Sequence, residues 1–328
     1  MLLESLSVPD NYRMPIDNMA KDIPLPVISK TSVKGIITNK QADITEDIQR
    51  QRQEILKQMC PQTGYKLQEE GGKVPHRLVV DEDRKFMWCI VPKVACSNWK
   101  RALGQTKKSA LNSTWNGDKW LKHVHWPGYL TSIGMKPLAA FTSEERNYRL
   151  KHYFKFMFVR HPLTRLLSAW KEKFASLNKF TKRFHKQYMP RMVSQKRQKE
   201  AELNGTTPLV LFSEFLSYIA NNPNKRLNAH WRSYWNICHP CSIPYAFIGK
   251  LETIGPDSKY VLERISGSDA SDAFPPPERG PYVKHLPSTS DMLNKAYKDI
   301  SQDTIARLQR VYSHDFTLFN YSTQIILH

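Results

Sequence analysis

The sequence predicts an α/β fold, a central parallel sheet flanked by helices with P-loop-like turns at one end of the strands. Three observations carry this. The apolar runs Phe86-Met87-Trp88-Cys89-Ile90-Val91, Tyr153-Phe154-Lys155-Phe156-Met157-Phe158-Val159 and Tyr245-Ala246-Phe247-Ile248-Gly249 have the length and continuity of buried strands. Helical patterns separate them, and strands alternating with helices favour a parallel sheet. The first two runs each lead through a turn into a helix, and neither turn contains glycine.

The elements follow in order. Residues 1–42 are polar, with scattered prolines and no period, and read as a tail or stem before one domain spanning 43–328. Residues 43–59 read as a helix, with Asp43 and Glu46 as a capping-box-like start and Ile44, Ile48, Ile55 and Met59 on one face. Gly71, Gly72 and Pro75 break the chain. Residues 77–91 read as two extended pieces around Asp81-Glu82-Asp83. A helix starts near Ser97, with Ser97 or Asn98 as its cap. Residues 106–137 suit a long loop over a site and contain His123 and His125. Residues 163–174 form a helix with Leu163, Leu166, Leu167 and Trp170 on one face. Residues 179–200 are rich in Lys and Arg, lack a core stripe and read as exposed. Thr207-Pro208 opens an apolar helix to Ala220. Residues 257–265 and 301–312 read as helices around a Gly/Pro/Ser-rich loop.

Composition narrows the class. Of 328 residues, 40% are hydrophobic, which marks a globular chain. The net charge of +19 favours a polyanionic partner: nucleic acid, an anionic membrane or an acidic polysaccharide. No RRM, zinc-finger or helix-turn-helix signature supports nucleic acid, which is not expected as a partner. No run of about 18 apolar residues encodes a membrane helix, and the N-terminus lacks the pattern of a signal peptide. Asn112, Asn204 and Asn320 each head an N-x-S/T sequon and are candidate glycosylation sites.

The chemistry sits in the two turns. The first is Val91-Pro92-Lys93-Val94-Ala95-Cys96-Ser97-Asn98-Trp99-Lys100-Arg101. Backbone N–H groups leaving a strand and entering a helix converge on one spot, where the helix N-terminus adds positive potential. Lys93 supplies a mobile cation, and Ser97 and Asn98 supply donors. The second is Val159-Arg160-His161-Pro162-Leu163-Thr164-Arg165-Leu166-Leu167-Ser168. Guanidinium and hydroxyl groups there can hold a terminal phosphate. Either turn alone also reads as an ordinary strand-to-helix connection; two in order, each after a buried strand, predict a ligand with two separate phosphates. Walker A is absent, and no strand end offers a convincing Walker B aspartate, which disfavours magnesium-dependent ATP hydrolysis.

At these residues the chain resembles the Golgi carbohydrate sulfotransferases. Residues 92–101 resemble the family's 5'-phosphosulfate loop, and Arg160-His161-Pro162-x-x-Arg165-x-x-Ser168 its 3'-phosphate motif. The similarity is closest to the branch holding the chondroitin and dermatan 4-O-sulfotransferases and the HNK-1 enzyme. It extends through His230-Trp231, Cys238-His239-Pro240-Cys241, Phe247-Ile248-Gly249-Lys250-Leu251-Glu252-Thr253 and Tyr312-x-x-Asp315-Phe316-x-x-Phe319-x-Tyr321.

The resemblance implies the P-loop-like sulfotransferase fold, with 3'-phosphoadenylyl sulfate as donor and no metal. It implies cofactor-binding roles for Pro92, Lys93, Val94, Ala95, Cys96, Ser97 and Asn98 at the phosphosulfate. Arg160, His161, Pro162, Leu163, Thr164, Arg165, Leu166, Leu167 and Ser168 would serve the 3'-phosphate. Lys93 is the expected catalytic cation. His230 is the favoured general base among His123, His125, His161, His230, His239 and Glu252. The acceptor would be a glycosaminoglycan or glycoprotein glycan, most closely the 4-hydroxyl of N-acetylgalactosamine in chondroitin or dermatan. Alternatives are sulfation of terminal GalNAc or glucuronic acid on glycoprotein glycans or, from another class and resting on charge and aromatic content alone, a basic nucleic-acid-binding protein. Lys182, Arg183 and Lys186 are candidate acceptor contacts by charge. The family implies a Golgi type II membrane protein, although no anchor is encoded in this chain. Cys238-x-x-Cys241 lacks a second ligand pair for zinc; a redox motif stays open, and a disulfide framework with Cys60 and Cys89 suits a Golgi-lumenal protein best. Which cysteine pairs with which stays open.

Overall fold

The computed structural model describes residues 34–63, 74–111, 124–222, 227–275 and 289–323. Residues 1–40 group as one unit, described only at 34–40 within the first helix, and residues 41–328 as another. In the second unit β1 (Leu78–Asp81) and β2 (Phe86–Cys89) form an antiparallel hairpin with Leu78 opposite Cys89. β3 (Met135–Pro137) pairs antiparallel outside β1. β4 (Phe154–Val159) runs parallel to β2, and β5 (Phe247–Lys250) parallel to β4. The order is β3-β1-β2-β4-β5. The expected parallel sheet is thus β2-β4-β5, and the hairpin extends it with antiparallel strands.

Helices cover the sheet. α1 (Lys34–Met59) precedes it, α2 (Cys96–Leu111) follows β2, and α3 (Tyr129–Ser132) and α4 (Ser143–His152) flank β3. α5 (Pro162–Lys173) follows β4 and leads to α6 (Lys182–Met192), α7 (Gln195–Leu203) and α8 (Phe212–Ala220). α9 (Tyr234–Cys238) precedes β5, and α10 (Ile254–Ser266) follows it. α11 (Thr289–Tyr297), α12 (Gln302–Val311) and α13 (Ser313–Leu318) close the described chain.

Buried aromatic residues fix α2 on the sheet. Trp99 is fully buried, 4.8 Å from Phe158, 5.1 Å from Phe156 and 6.4 Å from Trp88 by ring centroids. Gly249 in β5 is required because a Cβ there would lie 2.1 Å from the Phe158 ring. A second core joins α5, α6, α8, α11, α12 and α13 around Phe174, Phe215 and Trp231.

Several expectations are corrected here. α1 begins at Lys34, so Asp43 lies inside the helix rather than at its start. Its inward residues are Thr45, Gln49 and Leu56, while Ile44 is exposed. The reason is that α1 docks on polar backbone. Gln49 Nε2 donates to Ile248 O at 3.0 Å, and its Oε1 accepts from Ile248 N at 2.9 Å. Gln53 Nε2 donates to Tyr245 O, and Arg52 Nη1 to Ile248 O and Asp257 Oδ2. Side-chain amides therefore satisfy the outer edge of β5, as a further strand would. The basic segment does carry a core stripe: His185, Tyr188 and Met192 of α6 are buried. Of residues 106–137, expected as one long loop, 106–111 complete α2 and others form α3 and β3, while 112–123 lie outside the described residues. α8 begins at Phe212, after an extended stretch from Thr207.

Both halves of Cys238-x-x-Cys241 pair with distant partners. Cys89 bonds Cys238 and Cys60 bonds Cys241. The first bridge fastens the end of β2, just before the first turn, to α9.

Candidate functional site

The two turns leave the carboxyl ends of β2 and β4, which are adjacent parallel strands. Their openings therefore face the same edge of the sheet, where α/β folds hold ligands. Without glycine, the first turn still adopts left-handed backbone: φ is 72° at Lys93 and 61° at Ala95. Such conformers cost a non-glycine residue on the order of 1 kcal/mol each and persist where surrounding structure imposes them. Alternating them within a turn draws successive N–H groups toward one concavity, a nest suited to an anion. Cys96 begins α2 directly afterwards, which adds the helix dipole.

In the second turn His161 precedes α5 with Pro162 at its first position, the preferred place for proline. The loop is held from several sides. Tyr234 Oη donates to Arg160 O at 2.8 Å and lies 2.9 Å from Arg160 N, whose N–H it accepts. His161 N donates to Glu252 Oε1 at 2.8 Å, and Tyr321 Oη donates to Glu252 Oε2 at 2.9 Å. Glu252 follows β5, so all three parallel strands contribute to this edge. His161 Nε2 meets Ser322 O at 2.9 Å, while its buried Nδ1 has no partner among the described residues. Ser322 O can only accept, so Nε2 carries the ring hydrogen, and Nδ1 of the neutral ring is left as an acceptor that a donor group, not an anion, would satisfy.

Arg165 joins the turns. It is 1% exposed, and its guanidinium donates to Pro92 O at 3.1 Å, Ala229 O at 2.8 Å and Arg232 O at 2.6 Å. The structure gives it the position of an internal tie rather than a phosphate ligand, because carbonyls surround its fork. Leu163, Leu166 and Leu167 are likewise buried in the second core, so their side chains face no ligand. Thr164 and Ser168 remain partly exposed one turn apart on α5, and Glu172 continues that stripe.

Glu172 was not foreseen from the sequence. Its carboxylate contacts Lys93 Nζ through one oxygen and Lys173 Nζ at 2.6 Å through the other. Burial would raise its pKa, but the two ammonium groups outweigh this and hold it well below the usual carboxylate range. Only its spacing of four residues from Ser168 could have pointed to it.

His230 lies in the same charged surroundings. Burial, then the charges of Lys173 and Lys93, push its imidazole down to about 3, with Glu172 opposing. The ring is neutral at physiological pH. Asn228 Oδ1 accepts from His230 N at 3.0 Å and lies 2.7 Å from His230 Nδ1. Since a backbone N–H can only donate, the facing Asn228 atom is oxygen, and Nδ1 must carry the ring hydrogen. Nε2 is then the unprotonated nitrogen. Asn228 is itself fixed by donating to Tyr188 Oη at 3.1 Å.

The other histidines stand differently. His125 Nε2 is 3.2 Å from Ser97 Oγ, and burial and Lys100 lower its pKa. His161 belongs to the second turn. His239 ends α9 in left-handed conformation, and His123 lies outside the described residues. Lys182, Arg183 and Lys186 are exposed on α6, whose Phe184 meets the His230 ring edge-on at 5.4 Å. Asn204 and Asn320 are exposed, and Asn112 falls outside the described residues. Among the described residues, no group of three His, Cys, Asp or Glu is placed to hold a metal ion, and no helix is long and apolar enough to cross a membrane.

The profile of the sulfotransferase family matches residues 76–322. Carbohydrate sulfotransferase 11 of Rattus norvegicus is 37% identical over 255 residues, covering 75% of this chain and 67% of the relative. Carbohydrate sulfotransferase 14 of Danio rerio is 35% identical over 244 residues, covering 74% of this chain and 62% of the relative. Carbohydrate sulfotransferase 9 of Homo sapiens is 29% identical over 309 residues, covering 89% and 64%. No solved structure matches.

Proposed function

The chain belongs to the sulfotransferase family, and from that premise we propose that it moves a sulfuryl group from 3'-phosphoadenylyl sulfate to the 4-hydroxyl of N-acetylgalactosamine in chondroitin or dermatan. Family membership implies the donor. The observation that carries the reading is the pairing of two anion-receptive turns on adjacent parallel strands, bridged by Arg165. A donor with a 5'-phosphosulfate and a 3'-phosphate requires two such places.

The residues present fit that donor. The left-handed turn at Lys93 and Ala95 would receive the phosphosulfate, with Ser97 and Asn98 as side-chain donors beside it. Arg160, Thr164 and Ser168 would hold the 3'-phosphate, fixing orientation through binding remote from the reacting bond. Bound donor supplies the activated sulfuryl group. Lys93 would stabilise charge gathering on the departing phosphate oxygen. His230 Nε2 would take the acceptor's proton, since Asn228 keeps the hydrogen on Nδ1. Lys182, Arg183 and Lys186 would steer the acidic acceptor toward this edge. Under the same reading the protein would act in the Golgi lumen, an oxidising compartment in which the two disulfides would persist.

The test is a labelled-donor assay offered desulfated chondroitin, dermatan, a GalNAc-terminated N-glycan and a glucuronyl glycan, followed by disaccharide analysis. Label at the GalNAc 4-position supports the proposal. Label confined to the terminal GalNAc or to glucuronic acid would move the assignment to those acceptors. No incorporation by folded protein would sink it.

A further inference from the structure

We propose that Glu172 is a positioning residue that holds Lys93 while the donor site is empty and must release it when the donor binds. The inference rests on the donor assignment above. Its basis is geometric: Glu172 contacts Lys93 through one carboxylate oxygen and Lys173 through the other, so it shares its charge between two ammonium groups. Lys93 sits within the left-handed turn, and its side chain is only 12% exposed. The same ammonium cannot serve the carboxylate and a phosphosulfate fully at once. Lys173 gives Glu172 a partner to keep when Lys93 turns to the donor, and Lys173 is itself held over the Phe184 ring at 4.6 Å.

The consequence has an unusual sign. A carboxylate that holds Lys93 competes with the phosphosulfate for that cation, so it weakens donor binding. Removing that charge should tighten binding, a result that structural damage would not produce. The experiment measures the Kd of adenosine 3',5'-bisphosphate by calorimetry on the folded full chain. Glu172→Gln should lower Kd about tenfold, Glu172→Asn should act in the same direction, and Glu172→Asp should restore a value near wild type. In a Lys93→Met background, Glu172→Gln should change Kd much less, because the competition is for Lys93. Equal or weaker binding by Glu172→Gln and Glu172→Asn, with melting behaviour unchanged, overturns the inference while leaving the donor assignment intact. Failure of folded wild type to bind the bisphosphate overturns the donor assignment, and this inference with it.

Discussion

Arg165 Nε donates to the carbonyl of Pro92 at 3.1 Å, so the helix of the second turn is bolted to the entry of the first. Its remaining arms hold Ala229 and Arg232, on either side of His230. One buried guanidinium thereby sets the spacing of three parts of the site. Arg165→Met would leave three carbonyls short of a donor. We expect a loss of about 3 kcal/mol, read from urea unfolding, since each unsatisfied buried group costs roughly 1–3 kcal/mol. Donor KM should rise in any protein that still folds.

Asp315 predicts a pH dependence of stability. It accepts from Tyr234 N at 2.9 Å and Trp235 N at 3.1 Å, capping α9. Burial raises its pKa to about 7, against the lowering effect of those N–H groups and Arg165. An unfolded aspartate titrates near 4. Between the two values the folded state binds a proton that the unfolded state lacks. The contribution is therefore full below about pH 4 and is lost as pH rises through about 7. His230 acts oppositely: its folded value near 3 means its contribution is lost as pH falls below about 6.5. The difference between wild type and Asp315→Asn isolates the aspartate. The variant should gain relative stability by a few kcal/mol, about 3, between pH 5 and pH 8. A pH-independent difference would contradict this.

His230→Ala should lower kcat by about 10²- to 10⁴-fold with little change in donor Kd. Asn228→Ala should cost less, about tenfold, because the ring keeps its place on Phe184 but loses the bond that selects its tautomer. Steady-state rates at saturating donor separate the two. Equal kcat in wild type and His230→Ala would move the proton-accepting role to another group.

The strands were legible because Phe86 to Cys89 is apolar throughout and Phe154 to Val159 is apolar except for Lys155, whose ammonium donates to the Leu150 and Tyr153 carbonyls. The turns were legible from Lys93 and Arg160 just beyond strand ends and from Ser168 in the helix that follows the second. What escaped reading came from tertiary context. Gln49 looks like a surface residue in a one-dimensional pattern, and only the bare edge of β5 gives it an inward role. Tyr188 and Met192 were masked by the basic residues around them, Lys182, Arg183, Lys186 and Arg191. The role of Arg165 was misjudged because a guanidinium suits carbonyls as well as phosphates, and only burial distinguishes the cases. Glu172 follows its motif in sequence, but its meaning depends on Lys93, 79 residues earlier.

Lys93→Ala should reduce kcat about 10²- to 10³-fold, the usual cost of deleting a group that stabilises developing charge. The measurement is single-turnover sulfate transfer with donor bound beforehand, which reads the chemical step alone. An unchanged rate would remove Lys93 from the reacting end.

The central claim is that the two turns hold the two ends of one donor. The most direct measurement compares the affinities of adenosine 5'-phosphate and adenosine 3',5'-bisphosphate for wild type and Arg160→Ala. Wild type should favour the bisphosphate strongly. Arg160→Ala should erase most of that preference, weakening the bisphosphate about 10- to 100-fold, while binding adenosine 5'-phosphate as wild type does. If Arg160→Ala weakens both ligands alike, or leaves the bisphosphate preference intact, the second turn does not hold the 3'-phosphate and the account fails.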